Sequence, residues 1–158
     1  MTTITCKERL ERYLDAVGAP YLETPHIMAY TAQRLAEAEH LPGRSVAKII
    51  VAESERGPLM LVVPATCRVD LDKAAVALGL NHLRLATEAE MARLFPDCEV
   101  GAMPPFGNLY KLPVYVDMDL TESREITFPA GTHRYSLTIA YADFARLARP
   151  IETGLTRD

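Results

Sequence analysis

The sequence predicts an α+β domain with a mixed, mostly antiparallel and curved central sheet flanked by helices, and three observations lead there. Helical and strand periods alternate without the strict βαβ order that a parallel sheet requires. Two apolar runs, VAKIIVA (46–52) and PLMLVVPA (58–65), flank the polar turn ESERG and read as a hairpin. Three further strand-like runs, PVYVD, EITFPAG and HRYSLTIA, stand close together before a last helical stretch. The 158 residues are 49% hydrophobic, enough for one core, and contain no repeat, low-complexity tract or long linker, so 1–158 is expected to be a single domain.

Each element has its own signal. A first helix over 5–17 places Leu10, Tyr13, Leu14 and Val17 on one face and stops at Gly18. PYLETPH is a short extended piece, after which Thr31 can cap a second helix, AQRLAEAEHL, ended by Pro42 and Gly43. Asp70 can cap LDKAAVALG, with Leu71, Ala75 and Leu78 spaced for one face and Gly79 at its end. HLRLA (82–86) is a short strand candidate. Thr87 and Glu90 have capping-box spacing ahead of MARLF, which Pro96 closes. YADFARLA (141–148) is the final helix expected.

Composition excludes several functions. A net charge of −4 and a pI of about 5.6 leave no broad basic field for duplex DNA, and the cations Lys7, Arg9 and Arg12 are interleaved with acids as on a solvated helix face. Cys6, Cys67 and Cys98 are too few and too scattered for a disulfide framework, so a reducing cytoplasm is the expected setting. MTTITCKERL lacks the apolar stretch of a signal peptide, and no apolar run approaches the roughly 20 residues of a membrane span. His26, His40, His82 and His133 show no ligand spacing, and neither a metal nor another cofactor is expected.

Three segments carry candidate chemistry. GAMPPFGNLY (101–110) combines Gly101 and Gly107 with Pro104 and Pro105, a rigid loop whose glycines let backbone approach another group closely. Lys48 interrupts VAKIIVA, and alternation gives it the same face as Ile50, so its head must reach water, a partner or a ligand; a lysine snorkelling from a strand edge is the plain alternative. PAGTH (129–133) is a second glycine turn.

Taken together, SVAKIIV, GAMPPFG and AGTH, in that order and spacing, resemble the YbaK/prolyl-tRNA-synthetase-associated domain family, the editing domains that hydrolyse mischarged aminoacyl-tRNA. The resemblance runs from about residue 20 to residue 150. It implies a barrel-like sheet and a trans-acting deacylase that binds the acceptor end of aminoacyl-tRNA, with an aminoacyl-tRNA synthetase as a candidate second partner. It implies catalytic roles for Lys48, Gly101 and Gly107, and a substrate pocket built from Tyr30, Thr31, Pro104, Pro105, Phe106, Gly131, Thr132 and His133. In that reading the glycine loops offer backbone N–H groups to the oxyanion of ester hydrolysis, and a free ribose hydroxyl beside the ester assists attacking water. Gly107→Val is then expected to reduce turnover more than stability. The chain departs from alanine-specific members, which have asparagine after the lysine where Ile49 stands, and from cysteine-favouring members, whose late turn is richer in glycine. Two other readings follow from the residues: a hydrolase using Cys98 with His133 as base, which lacks an orienting third group, and a non-catalytic module binding aminoacyl-tRNA or a small acyl ligand.

Overall fold

A computed structural model describes residues 4–25 and 46–157. The first helix, α1 (Cys6–Val17), is fixed at both ends by local chemistry. The Thr5 side chain accepts the Glu8 N–H, and Gly18 closes the helix in the left-handed conformation at φ 72°. Leu10 and Leu14 are buried as expected, but Val17 is 37% exposed because the apolar stripe turns out of the core in the last turn. The extended piece is β1 (Leu22–Pro25). The second helix expected after Thr31 lies outside the described residues.

The hairpin is present as β2 (Ala47–Ser54) and β3 (Gly57–Pro64), paired from Ala47↔Pro64 to Ser54↔Gly57. Glu55 and Arg56 are left as a two-residue turn, shorter than the five residues of ESERG. The Ser54 hydroxyl tightens it by donating to the Gly57 carbonyl. There follow β4 (Arg68–Val69), α2 (Leu71–Leu78, capped by Asp70), β5 (Leu83–Leu85) and α3 (Glu88–Leu94). The expected capping box starts α3: Thr87 accepts the Glu90 N–H and Glu90 accepts the Thr87 N–H. A 3-10 turn (Gly107–Tyr110) leads to β6 (Val114–Asp117). A second (Met118–Glu122) leads to β7 (Glu125–Pro129), β8 (Tyr135–Ala140) and α4 (Tyr141–Ala148). Two strands not expected from the sequence, β9 (Ile151–Thr153) and β10 (Thr156–Arg157), end the described chain.

The strands form a five-stranded sheet in the order β5-β2-β3-β6-β9, a three-stranded sheet β1-β8-β7 and a ribbon of β10 with β4. Only β3-β6 and β6-β9 run parallel, so the mixed and mostly antiparallel expectation holds. No closed barrel is seen: among the described residues the ladders form separate sheets. A single bridge, Val46↔Thr127, joins the two larger ones.

The central hairpin is covered on both faces. Ala47, Ile49, Val51, Met60 and Val62 face the main core, while Ala52, Leu59, Leu61 and Val63 face a smaller one completed by Ala74 and Leu155. This explains why PLMLVVPA is continuously apolar rather than alternating. In α2 only Ala74 is buried, so the expected Leu71, Ala75 and Leu78 face is only partly covered. Phe106 sits at the centre of the main core, with ring centroids 5.9 Å from Tyr13, 5.8 Å from Phe128 and 5.9 Å from Phe144 in edge-to-face contacts.

Candidate active site

Strand alternation puts Lys48 beside Ile50 on the face of β2 that meets the smaller core, as the sequence predicts. At this end the core has run out, and the side chain emerges half-buried. Its Nζ donates to the Cys67 carbonyl at 2.7 Å. Burial lowers the Lys48 pKa below the ordinary lysine value; the Cys67 thiol pulls it upward and the positive charge of Arg68 lowers it further.

Lys48 opens onto a cavity of about 430 Å³ at the edge of β2, just past the point where β5 stops pairing. Arg68 of β4 and Arg157 of β10 join it as cations on the lining. Val51, Ala86, Met91 and Met103 supply apolar surface, and Gly101 contributes bare backbone. No carboxylate lines this space among the described residues. The arrangement suits a ligand with an anionic group and an apolar or flat part.

The predicted site residues divide sharply around this cavity. Gly101 is exposed, left-handed at φ 86°, and a Cβ there would make only an ordinary contact of 3.7 Å with His133 Cε1. Among the described residues nothing accepts the Gly101 N–H. Gly107 is of a different kind. It is buried in the core, and a Cβ would lie 2.6 Å from Val114 Cγ2 and 2.9 Å from the Leu112 carbonyl oxygen. Its packing reverses the expectation for Gly107→Val, which must damage folding first. Phe106 is fully buried, and Pro104 and Pro105 are buried behind the loop; none of these four lines the cavity. Tyr30 and Thr31 lie outside the described residues.

The late turn is tied to the first loop by hydrogen bonds. The Gly131 N–H donates to the Ala102 carbonyl at 2.8 Å, and the Glu99 N–H donates to the Gly131 carbonyl at 2.9 Å. The Glu99 carboxylate accepts the Thr132 hydroxyl at 2.8 Å and the His133 N–H at 3.1 Å. Gly131 is left-handed at φ 86°, and its α-carbon is packed so closely against Cys6 that a Cβ would lie 2.4 Å from the sulfur. Gly131 and Thr132 border a second cavity of about 500 Å³ between this turn and α1.

The Cys98 and His133 pair has other commitments. Cys98 is joined to Cys6, with Cα atoms 5.2 Å apart across 92 residues of sequence, a disulfide the cysteine count did not suggest. The Tyr110 hydroxyl lies 3.3 Å from each sulfur and donates to Asp97. His133 Nε2 is 3.0 Å from the Val100 carbonyl, which can only accept, so this nitrogen carries the proton and is occupied as a donor. Arg68, Arg157 and Glu99 were not singled out from sequence. Each meets partners far away in the chain, and of the three only Glu99, two residues before Gly101, stands beside a segment singled out above.

Taken together, an α+β domain with a cationic, apolar-floored cavity beside an exposed glycine loop has the chemistry that suits the end of an anionic chain. Comparison with known proteins identifies the class further: a profile of the aminoacyl-tRNA editing domain matches residues 26–147, and the chain belongs to that family. Its activity is aminoacyl-tRNA deacylation, a hydrolysis of ester bonds. The Multifunctional Ser/Thr-tRNA deacylase ProXp-y of Escherichia coli K12 is 28% identical over 148 residues, covering 90% of this chain and 88% of that protein. A crystal structure of a candidate trans-editing enzyme for prolyl tRNA synthetase superposes with a TM-score of 0.84 at 26% identity, over 99% of this chain and 100% of that one. A hypothetical protein of known structure, 17% identical, has the same fold at a TM-score of 0.85, over 95% of this chain and 100% of its own. No helix among the described residues is long and apolar enough to cross a membrane.

Proposed function

We propose that the cavity bearing Lys48 and Gly101 is where the ester of a mischarged aminoacyl-tRNA is cleaved, in trans and in the cytoplasm. The observation that carries this reading is that the strand lysine and the exposed glycine, 53 positions apart, face one cavity in a chain of the editing family. The terminal ribose and its amino acid enter beside Gly101. Water attacks the ester carbonyl, the tetrahedral oxyanion is met by the Gly101 N–H and the Lys48 ammonium, and the carbon–oxygen bond to the ribose breaks. The ribose oxygen takes a proton, leaving a free amino acid and an uncharged tRNA end. The neighbouring ribose hydroxyl, held rigidly beside the ester, assists the attacking water.

Lys48 is well placed for this work because the Cys67 carbonyl takes one of its three N–H bonds and leaves two for substrate. Thr132 and His133 do not line this cavity but brace the Gly101 loop from the late turn through Glu99, while Pro104, Pro105, Phe106 and Gly107 hold it from the core side. The E. coli relative is named for seryl- and threonyl-tRNA, and these are the substrates to test first. Release of amino acid from tRNAs charged with serine, threonine, alanine and cysteine tests the proposal; binding without release from any of them would favour a non-catalytic module.

A further inference from the structure

Two arginines on the cavity have no role in the cleavage just described. Arg68 and Arg157 stand directly opposite each other in the ribbon of β4 with β10, a register that puts like charges side by side. Such a pair destabilises a sheet. Both are exposed, and neither forms an ion pair with an acidic side chain among the described residues, although the protein as a whole is acidic at −4. Both line the cavity that Lys48 enters, and Lys48 is itself tethered to the carbonyl of Cys67, the residue before Arg68. Three cations are therefore gathered where no described carboxylate balances them.

The ribbon is also deliberately held. The buried Asp117 accepts the Leu155 N–H at 2.8 Å and the Thr156 hydroxyl at 3.3 Å, and the Asp70 N–H donates to the Leu155 carbonyl at 2.8 Å. Leu155 is fully buried in the smaller core. These contacts fix the backbone that presents Arg157 and leave its side chain to the cavity.

We infer that Arg68 and Arg157 form a phosphate clamp that grips the backbone of the single-stranded acceptor end while the Lys48 and Gly101 end of the cavity takes the ester. Guanidinium groups suit this task because their forked donors match phosphate oxygens in pairs. The inference rests on the cleavage reading for the same cavity, and it adds the substrate feature recognised beyond the ester: an unpaired phosphodiester rather than the base or the amino acid. The ribbon near the end of the chain thereby becomes part of the substrate site.

The test uses Arg68→Gln, Arg157→Gln and the double variant, with thermal denaturation to show that each is folded; removing one of two opposed like charges should not lower Tm. Equilibrium binding and single-turnover cleavage are measured on an aminoacyl-tRNA that the wild type cleaves, across a salt series, and on a 3′-aminoacyl-adenosine that has no phosphate. The double variant should bind the tRNA about tenfold or more weakly, and its plot of log K against log salt should be flatter by about 0.7 for each lost single-strand phosphate contact. Cleavage of the phosphate-free ester should match the wild type. Wild-type affinity and salt slope in the folded double variant would overturn the clamp, as would an equal loss on the phosphate-free ester. Failure of the wild-type protein to cleave any aminoacyl-tRNA would instead refute the cleavage reading. Should the double variant fail to fold, the Arg157→Gln single variant provides the same comparison with half the expected change in slope.

Discussion

Replacing Gly101, Gly107 and Gly131 by alanine, one at a time, separates glycines that pack from glycines that serve the substrate. At Gly107 the added methyl meets Val114 Cγ2 at 2.6 Å and the Leu112 carbonyl oxygen at 2.9 Å, and Val114 belongs to β6, which is hydrogen-bonded to strands on both sides. Relief requires backbone movement, an overpacking cost of about 1–3 kcal/mol. At about 2–4 °C per kcal/mol for a domain of this size, Tm should fall by roughly 2–12 °C. Gly131 combines a left-handed φ, costing about 1–2 kcal/mol, with contacts of 2.4 and 2.5 Å to Cys6, so its loss should be larger. Gly101 carries the same φ but meets nothing closer than 3.7 Å, which leaves about 1–2 kcal/mol of conformational cost alone. Thermal denaturation followed by single-turnover deacylation, normalised to folded protein, reads both effects. Gly107→Ala should be less stable with normal specific activity, whereas Gly101→Ala should lose activity well beyond its small loss of stability. Wild-type Tm with impaired turnover in Gly107→Ala, or full activity in Gly101→Ala, would refute the division.

Hydrogen bonds from Arg84 and from the Thr87 N–H hold the Glu90 carboxyl at about 2, against an ordinary 4.5. A depressed carboxyl stabilises the fold above its unfolded pKa and ceases to do so as pH falls through the folded one, so the Tm advantage over Glu90→Gln should be complete at pH 6 and vanish near pH 2. Lys48 behaves oppositely: burial lowers its pKa, so the unfolded chain binds more protons between the lowered value and 10.5 and stability rises with pH there. The Tm of the wild type relative to Lys48→Met should therefore increase across that window while deacylation declines as the ammonium is lost. Replacing Cys6, Cys67 and Cys98 together by serine, or adding a chelator, should leave substantial activity, and a tRNA whose terminal ribose lacks the neighbouring hydroxyl should bind but react slowly. An inactive but folded cysteine-free protein, or normal cleavage of the deoxy substrate, would bring the Cys98 and His133 pair back into consideration.

What could be read from the sequence was local. The β2–β3 hairpin, the shared face of Lys48 and Ile50, the Asp70 cap and the Thr87–Glu90 capping box all depend on residues a few positions apart, and all are present. The three segments that resemble the editing family also led to the right fold and activity. Long-range packing was not legible. Gly101 and Gly107 look alike in GAMPPFG, yet one faces a cavity and the other abuts Val114 and Leu112. Strands β9 and β10 are three and two residues long, too short to show a period, so Arg157 could not be placed opposite Arg68. Glu99 ties the late turn to the loop across more than thirty residues, and Cys6 meets Cys98 across 92.

The central claim is that Lys48 serves the substrate in ester cleavage rather than the fold. It is tested most directly by the single-turnover rate of Lys48→Ala on seryl- or threonyl-tRNA, with Tm measured on the same preparation. Removing a half-buried ammonium that donates to the Cys67 carbonyl should change Tm little, while cleavage falls by about tenfold or more and Lys48→Arg recovers only part of it. A folded Lys48→Ala protein that cleaves at the wild-type rate would contradict the account and return Lys48 to a snorkelling strand lysine.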